Sequence, residues 1–494
     1  GERYMDIIVG VDVGTSGTKA VAIDEQGKRI ASALVEYPLL TPKPGWAEQD
    51  PAEWKAGALS ALKQLAHAPG VNAADVKGIG LTGQMHGSVF LDADNNVLRN
   101  ALLWCDNRTA PQCDAITEKV GERKLIEMVC NPALTGFTAP KILWLRDNEP
   151  EVYERVKKVL LPKDYIRWVL TGEYATDVAD ASGTLLFDVK NRAWHKELMS
   201  ILGIDSSFMP PAFEGTDVTG ALSKEAAELT GLPAGIPVVA GGGDQAAGGV
   251  GNGIVRKGAI SSTIGTSGVV FAFADRFSLD PQGRVHTFCH SVPGKWHVMG
   301  VVLSAGGSLR WFRDALCPME KAIAAEIGKD PYELITEVAE AIPPGAEGLT
   351  FLPYLSGERT PHKDPYAKGA FIGLSLKHTR AHMARAVLEG VAFAMRDSLE
   401  IMREMGVAIT QVRASGGGAR SALWRQIQAD VNKTPLVTTN IDEGPAYGAA
   451  LLATVATGLY KSVEEACDAI IKVVDQCAPN AMIGPVYNAW FKEY

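Results

Sequence analysis

The tetrapeptide Gly-Thr-Ser-Gly occurs twice in this chain of 494 residues, at positions 14–17 and 265–268. Each copy lies between two apolar, β-branched segments and is therefore predicted to be a turn between strands. Glycines let a backbone approach a ligand closely, and such a turn can direct several N–H groups at one anion. A single copy indicates only a turn, whereas two copies in equivalent places predict that both turns bind one chain of phosphates.

Two aspartates are candidates for chemistry beside these turns. Asp12 comes just before the first turn, where a carboxylate next to a phosphate site favours Mg²⁺ held through water molecules. The alternative is a carboxylate that accepts N–H groups within the turn. Asp244 lies in "GGGDQAAGG" (241–249), where small residues leave room for a ligand. From these residues alone, a reactive carboxylate and an Asp that bonds its own backbone are equally compatible with the pattern.

A third glycine cluster occurs in "ASGGGARSALWRQIQAD" (414–430), which is predicted to be a strand end followed by glycines and a helix. Glycines at such a junction allow a base or ribose to lie flat on the backbone, but a simple packing junction would have the same composition. Further on, "EGPAYGAALLA" (443–453) predicts a turn with a glycine and then a closing helix.

The elements that carry these turns follow the same order in both halves of the chain. Strands are predicted at 5–13, 18–24 and 29–37, then a helix from Asp50 and a strand at 76–82. The second half has predicted strands at 259–264, 269–274 and 296–303 before a helical segment from Ser304. A repeat of this length predicts duplication of a domain rather than a solenoid, whose units have about 20 to 50 residues. We therefore expect two related α/β halves that face each other.

The composition is that of an ordinary globular protein, with 46% apolar and 21% charged residues. A net charge of -9 gives no general attraction to nucleic acid or to an anionic membrane surface. The sequence has no apolar run near the ~18 residues that span a bilayer. Seven cysteines without a Cys-x-x-Cys pair predict neither a disulfide framework nor a zinc site. We expect a cytoplasmic protein that binds a small molecule.

Three histidines, His286, His290 and His297, are close enough in the sequence to suggest a metal site. The first two would share one face only on a helix, and this segment has the alternating pattern of strands. We therefore predict structural roles for all three.

Two longer segments identify a family. "GFTAPKILWLRDN" (136–148) and "GAFIGLSLKHTRAHMARAVLEG" (369–390) resemble the two signature segments of the FGGY carbohydrate kinases, which belong to the actin, hexokinase and Hsp70 superfamily. The resemblance runs over nearly the whole chain. Four further segments are most similar to bacterial family members that phosphorylate D-xylulose: "GQMHG" (83–87), "LLPKDY" (160–165), "GGGDQAAG" (241–248) and "LSGERTPH" (355–362).

The resemblance implies two ribonuclease H-like α/β domains that face each other across a cleft for nucleotide and sugar. Residues 1–254 would form the N-terminal domain, with the sugar side, the first phosphate loop and the catalytic aspartate. Residues 255–494 would form the C-terminal domain, with the second phosphate loop and the adenosine site. The implied reaction is phosphorylation of D-xylulose to D-xylulose 5-phosphate, with ATP and Mg²⁺ as cofactors.

The resemblance also implies which residues form the site. Asp244 corresponds to the catalytic aspartate, a general base on the O5 hydroxyl for which an ordinary carboxylate pKa is expected to suffice. Asp12 corresponds to the aspartate near Mg²⁺. The implied sugar-binding residues are Met85, His86, Trp104 and Gln245. The implied nucleotide-binding residues are Thr15, Ser16, Gly265, Thr266, Gly306, Gly417 and Gly418. From the residues alone, Met85 and Trp104 could equally belong to the core.

One departure from the family pattern leaves the substrate open. D-Xylulose kinases often have Asn after the catalytic aspartate, whereas Gln245 stands here, as in the related glycerol kinases. Glycerol kinases, however, carry an Arg-Glu pair where this chain has Met85 and His86. Another ketose, a pentitol or glycerol is therefore the alternative substrate.

An actin-like or chaperone-like ATPase is the alternative from another class, because paired phosphate turns would serve it equally well. Residues on the acceptor side of the cleft distinguish the two, since a nucleotide switch does not need Met85, His86, Trp104 and Asp244 there. The expected partner is a small sugar, and the resemblance allows a homodimer. Neither the pentulose epimer nor the oligomeric state follows from the spacing of residues.

Overall fold

The computed structural model describes residues 5–494, in which two large mixed β-sheets form the centre of the two halves. From edge to edge, the six-stranded sheet of the first half contains Val218–Ala221, Pro237–Gly243, Val76–Gly83, Ile7–Val13, Gly17–Ile23 and Arg29–Glu36. The seven-stranded sheet of the second half contains His286–Cys289, Trp296–Val302, Gly268–Ala274, Gly258–Ile264, Ile409–Gly416, Leu436–Thr439 and Val473–Cys477.

The two sheets repeat one pairing scheme. In the first half, the strand Ile7–Val13 pairs antiparallel with Gly17–Ile23 and parallel with Val76–Gly83. In the second half, Gly258–Ile264 pairs with its two neighbours in the same senses. Each Gly-Thr-Ser-Gly segment is the turn between the central strand and its antiparallel neighbour. This equivalence confirms the predicted duplication and the two ribonuclease H-like α/β halves.

The observed boundaries of the predicted strands differ from the predicted ones by no more than two residues. The helix predicted from Asp50 begins at Pro51, and the Asp50 carboxylate accepts a hydrogen bond from the N–H of Ala52 at 2.9 Å. The helix predicted from Ser304 begins at Gly306. Local turn and capping residues therefore indicated these elements correctly.

The remaining elements surround the two sheets. The α-helices of the first half are Pro51–Ala66, Ala110–Val120, Glu122–Val129, Thr138–Asn148, Pro150–Tyr153, Pro162–Thr171, Val178–Ser182, Lys196–Leu202, Lys224–Thr230 and Asp244–Gly251. Those of the second half are Gly306–Leu316, Pro318–Ile327, Pro331–Glu340, Arg380–Glu404, Ala422–Asn432, Pro445–Ala456, Val463–Ile470 and Gly484–Glu493. Short 3₁₀ helices are Ala73–Asp75, Ser206–Phe208, Ala346–Gly348 and Gly417–Ala419. Small two-stranded sheets pair Glu48–Gln49 with Ala101–Leu102, Val89–Leu91 with Lys158–Leu160, Thr176–Asp177 with Ala212–Phe213, Phe187–Asp188 with Ala193–Trp194, and Thr350–Leu352 with Ala370–Ile372.

The predicted closing helix of the second half, Pro445–Ala456, packs against the sheet of the first half. Gly10 and Gly80 make this contact, since a Cβ atom on either would lie 1.8 or 1.9 Å from a carbonyl oxygen of that helix. Any side chain on these two glycines would push the helix off the sheet. The helix Pro445–Ala456 of the second half therefore packs on the sheet of the first half and joins the two halves.

The three histidines singled out by spacing are buried and do not converge on a metal. His286 Nδ1 donates to Asn131 Oδ1 at 2.8 Å, and His290 Nε2 donates to the carbonyl of Ile254 at 2.9 Å. Residues 5–494 contain no group of three or more His, Cys, Asp or Glu side chains that could hold a metal ion. The hydrogen bonds of His286 and His290 to other residues agree with the structural roles predicted for these two. No helix in the same residues is long and apolar enough to cross a membrane.

His297 leads to a prediction about acid stability, because burial lowers its pKa well below the ordinary value. The folded protein keeps this ring neutral, whereas the unfolded chain protonates it below about pH 6.5, so its contribution to stability is lost as the pH falls. Burial raises the pKa values of Glu389 and Asp397 to about 7. Protonation of these two carboxyl groups therefore stabilises the folded protein as the pH falls, which opposes the effect of the histidine. Only a comparison with a variant therefore isolates the histidine.

We expect His297→Leu to gain stability relative to the unmodified protein as the solution is acidified. The relative gain in the free energy of unfolding should be about 2 kcal/mol between about pH 8 and pH 5, at ~1.4 kcal/mol per unit below pH 6.5. Urea denaturation at both pH values measures it, and the difference at the higher pH gives the packing cost of the substitution. Parallel curves for the two proteins would contradict the expectation.

Candidate functional site

The first Gly-Thr-Ser-Gly turn is held by hydrogen bonds to its carbonyl oxygens. The carbonyl of Gly14 accepts from the Tyr37 hydroxyl at 2.6 Å, and that of Thr15 accepts from Gln49 Nε2 at 2.6 Å. The carbonyl of Ser16 accepts from the backbone N–H of Tyr37 at 3.2 Å. Because carbonyl oxygens repel anions, tying them into the protein leaves the exposed side of the turn suited to phosphate.

Trp104 lies beside this turn, and its indole is 46% exposed. Its Nε1–H donates to the hydroxyl of Thr15 at 2.9 Å. Gln84, which the sequence analysis did not assign, donates from Nε2 to the Gly14 carbonyl at 3.3 Å. The structure thus brings a predicted sugar-binding residue and a predicted nucleotide-binding residue into direct contact. The one sequence signal for Gln84 was its place before Met85 in the quoted segment "GQMHG".

The second turn meets the beginning of the helix Gly306–Leu316. The N–H of Gly306 donates to the carbonyl of Gly265 at 2.8 Å, and Arg310 Nη2 donates to the hydroxyl of Thr266 at 2.7 Å. The first N–H groups of this helix are paired, those of Gly306 and Gly307 with carbonyls of the turn. The partial positive charge at the start of the helix still favours an anion nearby. Arg310 adds a positive charge that the sequence analysis did not anticipate.

A cavity of about 420 Å³ opens at the second turn. All five predicted nucleotide-binding residues of the second half line it: Gly265, Thr266, Gly306, Gly417 and Gly418. Leu309, Tyr332 and Trp424 contribute to its walls. Its volume is in the usual range of small-molecule sites, and it combines apolar and aromatic side chains with exposed backbone.

A second cavity, of about 310 Å³, lies between the two halves. Asp244 and Gln245 line it from the first half, and Thr263 and Gly416 line it from the second. Gly416 is the neighbour of Gly417, so the two cavities adjoin at the end of one strand. Asp244 therefore faces the gap between the halves and is not enclosed within one of them.

The carboxyl groups of Asp244 and Asp12 are buried close enough to repel each other. Burial, together with the charge of Asp12, raises the pKa of Asp244 to about 7. Burial also raises the pKa of Asp12 to about 6, although the positive charge of Lys19 acts to lower it. The pKa of Asp244 in the protein without ligands is thus higher than that of an ordinary carboxylate, because distant parts of the chain bury it.

Asp12 also has an oxygen without a partner. Its Oδ1 is buried and accepts no hydrogen bond from the residues that the structure describes, so no N–H group of the turn satisfies it. A buried, orphaned carboxylate oxygen near a second carboxyl group matches the all-oxygen donor set that Mg²⁺ prefers. The residues present therefore fit a magnesium ion.

His86 is held as a neutral ring by its surroundings. Burial and the nearby Lys141 lower its pKa to about 3. Its Nδ1 lies 2.6 Å from the carbonyl of Gly183, which can only accept, so Nδ1 carries the proton. The ring also packs edge-on against Phe137, with centroids 5.0 Å apart. This tautomer leaves Nε2 as an acceptor for a hydroxyl group.

Met85 is largely a packing residue that connects His86 with Asp244. It is 6% exposed and belongs to a hydrophobic core that also contains Phe137 and, from the second half, Phe288 and Met299. A Cβ atom on Gly243 would lie 2.7 Å from Met85 Cγ, and one on Gly183 would lie 3.1 Å from its Cε. Met85 is therefore a core residue, as the residues alone allowed, and it also lies close to Asp244.

Arg359 was missed by the sequence analysis, although it lies in the quoted segment "LSGERTPH". Its guanidinium contributes to the lowered pKa values of His86 and His286, and it forms no salt bridge within residues 5–494. Its backbone is held next to the second turn because the buried Glu358 accepts from the N–H of Leu303 at 3.0 Å. A cation from the second half thus lies near the predicted sugar-binding histidine.

Comparisons with known proteins identify the family of this chain. The model for the FGGY family of carbohydrate kinases, N-terminal domain, matches residues 7–251, and that for the C-terminal domain matches residues 260–457. The chain is 40% identical to a xylulose kinase of Bacillus subtilis (strain 168) over 490 residues, 99% of this chain and 96% of that protein. It is 42% identical to a xylulose kinase of Escherichia coli (strain K12) over 459 residues, 92% and 91% of the two chains. A solved structure, described as a "xyloylose kinase" from Brucella ovis, has a TM-score of 0.90 and 38% identity and covers 99% of this chain and 98% of its own. This chain therefore belongs to the FGGY family of carbohydrate kinases.

Proposed function

We propose that this protein transfers the γ-phosphoryl group of ATP to the O5 hydroxyl of D-xylulose and so produces D-xylulose 5-phosphate. The observation that carries the proposal is the position of Asp244. It lines a cavity between the halves that adjoins the nucleotide cavity, and Gly243 just before it packs against Met85, the neighbour of His86 in the chain. The xylulose kinases among the relatives, which match over nearly the whole chain, support D-xylulose as the acceptor.

We assign the two domains to residues 1–254 and 255–494. The helix Asp244–Gly251 ends the first half, and the strand Gly258–Ile264 begins the sheet of the second half, which supports a boundary between them. The first domain would supply the sugar side and the first phosphate turn. The second would supply the adenosine cavity and the second phosphate turn.

In the proposed reaction, the sugar O5 attacks the γ-phosphorus while the bond from that phosphorus to ADP breaks on the opposite side. Asp244 accepts the proton of the attacking hydroxyl, and a pKa near 7 is well matched to a general base at neutral pH. His86 orients the sugar by accepting a hydrogen bond from another hydroxyl at Nε2. Met85, Trp104 and Gln245 complete the sugar-binding side.

The two turns hold the phosphates from opposite walls of the cleft. Thr15 and Ser16 act from the first half, and Gly265 and Thr266 act from the second. Their N–H groups and the start of the helix Gly306–Leu316 stabilise the charge of the phosphate oxygens. Asp12 would hold Mg²⁺, which supplies charge neutralisation to the phosphates when bound.

The test is the rate of ADP formation with D-xylulose, D-ribulose, xylitol, glycerol or no sugar. We expect the highest kcat/KM for D-xylulose, slow hydrolysis without sugar, and loss of activity with EDTA that MgCl₂ restores. A higher kcat/KM for another acceptor would replace D-xylulose with that substrate. Hydrolysis that is equally fast without sugar would instead indicate an actin-like or chaperone-like ATPase.

A further inference from the structure

The strand that leads into Asp244 is irregular just before its end. Its pairing with the neighbouring strand Val76–Gly83 shifts register between Val239 and Gly242. Gly241, within the shift, has φ +75°, and a Cβ atom there would lie 1.7 Å from the carbonyl oxygen of Leu81. Such a bulge removes backbone groups from the regular ladder and redirects the strand. The direction in which Asp244 leaves the sheet is therefore set at this bulge.

A buried arginine binds the carbonyl groups at the bulge. Arg167 donates from Nη1 to the carbonyl of Val239 at 2.8 Å and from Nη2 to that of Ala240 at 2.6 Å. Nη1 also donates to the hydroxyl of Thr219 at 2.6 Å. The arginine side chain is completely buried. A guanidinium is a rigid, planar fork, so two bonds to consecutive carbonyls fix their relative orientation.

Arg167 belongs to a cluster of completely buried charges. Asp164 Oδ1 is 3.4 Å from Arg167 Nη2 and 2.8 Å from Lys163 Nζ. The same Lys163 Nζ is 2.6 Å from Asp177 Oδ1 and 2.7 Å from Asp180 Oδ2. The residues Lys163, Asp164 and Arg167 come from one helix, Pro162–Thr171, which begins within the quoted segment "LLPKDY".

The cluster also reaches the histidine on the sugar side. The carbonyl of Asp180 accepts from the N–H of Gly183 at 3.0 Å, and Gly183 in turn accepts from His86. Asp180 Oδ1 would lie 3.3 Å from a Cβ atom on Gly243, the residue before Asp244. One group of buried charges therefore contacts both the bulge before Asp244 and the turn that fixes His86.

Stability alone does not account for this cluster. Desolvation of buried charges offsets most of their mutual attraction, and apolar residues of similar volume often serve a core equally well. Unlike apolar packing, such a network of hydrogen bonds and ion pairs also fixes the orientations of the groups that it contacts. We propose that Arg167 is a positioning residue, whose bonds to Val239 and Ala240 aim Asp244 at the acceptor hydroxyl. This inference rests on the proposed function.

The test is Arg167→Lys, which keeps the charge but cannot bond both carbonyls as a fork. We expect kcat to fall by about 10-fold to 100-fold, because misplacement of a reacting group by ~1 Å has effects of that size. The KM for D-xylulose should rise, since the same cluster holds His86. The Kd for ADP should stay unchanged, because the adenosine cavity lies in the other half. Calorimetric titration with ADP counts intact nucleotide sites, and a urea transition as cooperative as that of the unmodified protein shows that the first half is folded, so that kcat is expressed per folded molecule.

The matched control is Arg396→Lys in the second half. Arg396 is also buried, and its Nη1 donates to the carbonyl of Val431 at 3.0 Å, but it lies on the helix Arg380–Glu404. This variant should keep the kcat per site and the KM of the unmodified protein. A similar loss in both variants would mean that any buried arginine has this effect, and would overturn the proposal.

A second variant keeps the proposal testable if Arg167→Lys does not fold. Thr219→Val removes one of the acceptors of Arg167 and should lower kcat per site by about threefold, with a higher KM for D-xylulose. If Arg167→Lys folds, unchanged kcat and KM in that variant would overturn the positioning role of Arg167; if it does not fold, the same result in Thr219→Val would do so. Neither result would contradict the proposed function. Failure of the unmodified protein to phosphorylate D-xylulose would instead contradict the proposed function.

Discussion

Asp244→Asn is expected to lower kcat for D-xylulose phosphorylation by at least about 100-fold, since a positioned general base contributes ~10² to 10⁴ in rate. The amide has the shape of the carboxyl group but cannot accept the proton of the attacking hydroxyl. Burial and the charge of Asp12 place the pKa of Asp244 near neutrality, so the carboxylate is a stronger base than an exposed one. Initial rates of ADP formation at saturating ATP and sugar measure the effect.

Two further measurements separate this effect from damage to the fold. The Kd for ADP should stay the same or decrease in Asp244→Asn, because a negative charge has been removed from beside the phosphates. The control is Asp50→Asn, which also replaces a carboxylate at the start of a helix but outside the cleft. Asn caps a helix about as well as Asp, so this variant should behave like the unmodified protein. Near-normal turnover in Asp244→Asn would remove Asp244 from the proposed mechanism.

The strands and the duplication could be predicted because the signals are local. A Gly-Thr-Ser-Gly turn between two segments of alternating apolar and polar residues can be recognised in either half without knowledge of the other. The place of the helix Pro445–Ala456 on the opposite sheet could not be predicted in this way. Gly10 and Gly80 make that contact. Their places inside predicted strands indicate a close approach of another backbone, but not which distant segment approaches.

Some features of the site could likewise be predicted from neighbouring residues, whereas others depend on distant parts of the chain. The glycines around Asp244 indicated room for a ligand, and the structure places this residue at a cavity between the halves. The burial that raises its pKa depends on distant parts of the chain and could not be predicted from adjacent residues. Arg167 and Lys163 illustrate this further, because charged residues in a helix usually face solvent, whereas the fold buries both completely.

The helices Asp244–Gly251 and Pro445–Ala456 are in close contact across the two halves, and a substitution at this contact is expected to have a large effect. A Cβ atom on Gly448, in Pro445–Ala456, would lie 1.7 Å from the carbonyl oxygen of Ala247 in Asp244–Gly251. The obstacle is backbone on both sides, so no side-chain rotation relieves it. Even one methyl group must therefore separate the helices that join the two halves.

Gly448→Ala is expected to lower the free energy of unfolding by about 3 kcal/mol, the upper part of the range for an overpacked core. This loss outweighs the roughly 1 kcal/mol by which Ala favours a helix over Gly. Urea denaturation measures the change. Gly248→Ala is the matched control on the facing helix, because its new Cβ atom would lie 3.9 Å from the nearest atom, in Pro445. The control should be as stable as the unmodified protein or slightly more stable.

The same substitution should also affect catalysis, since Asp244 is the first residue of the helix that is displaced. We expect kcat per folded molecule to fall in Gly448→Ala by about 10-fold, in keeping with a shift of the base by a fraction of an ångström to 1 Å. The Kd for ADP should change less, because the adenosine cavity does not include this pair of helices. Unchanged stability and turnover in this variant would mean that the helices are farther apart in solution, and that their contact does not fix Asp244 between the halves.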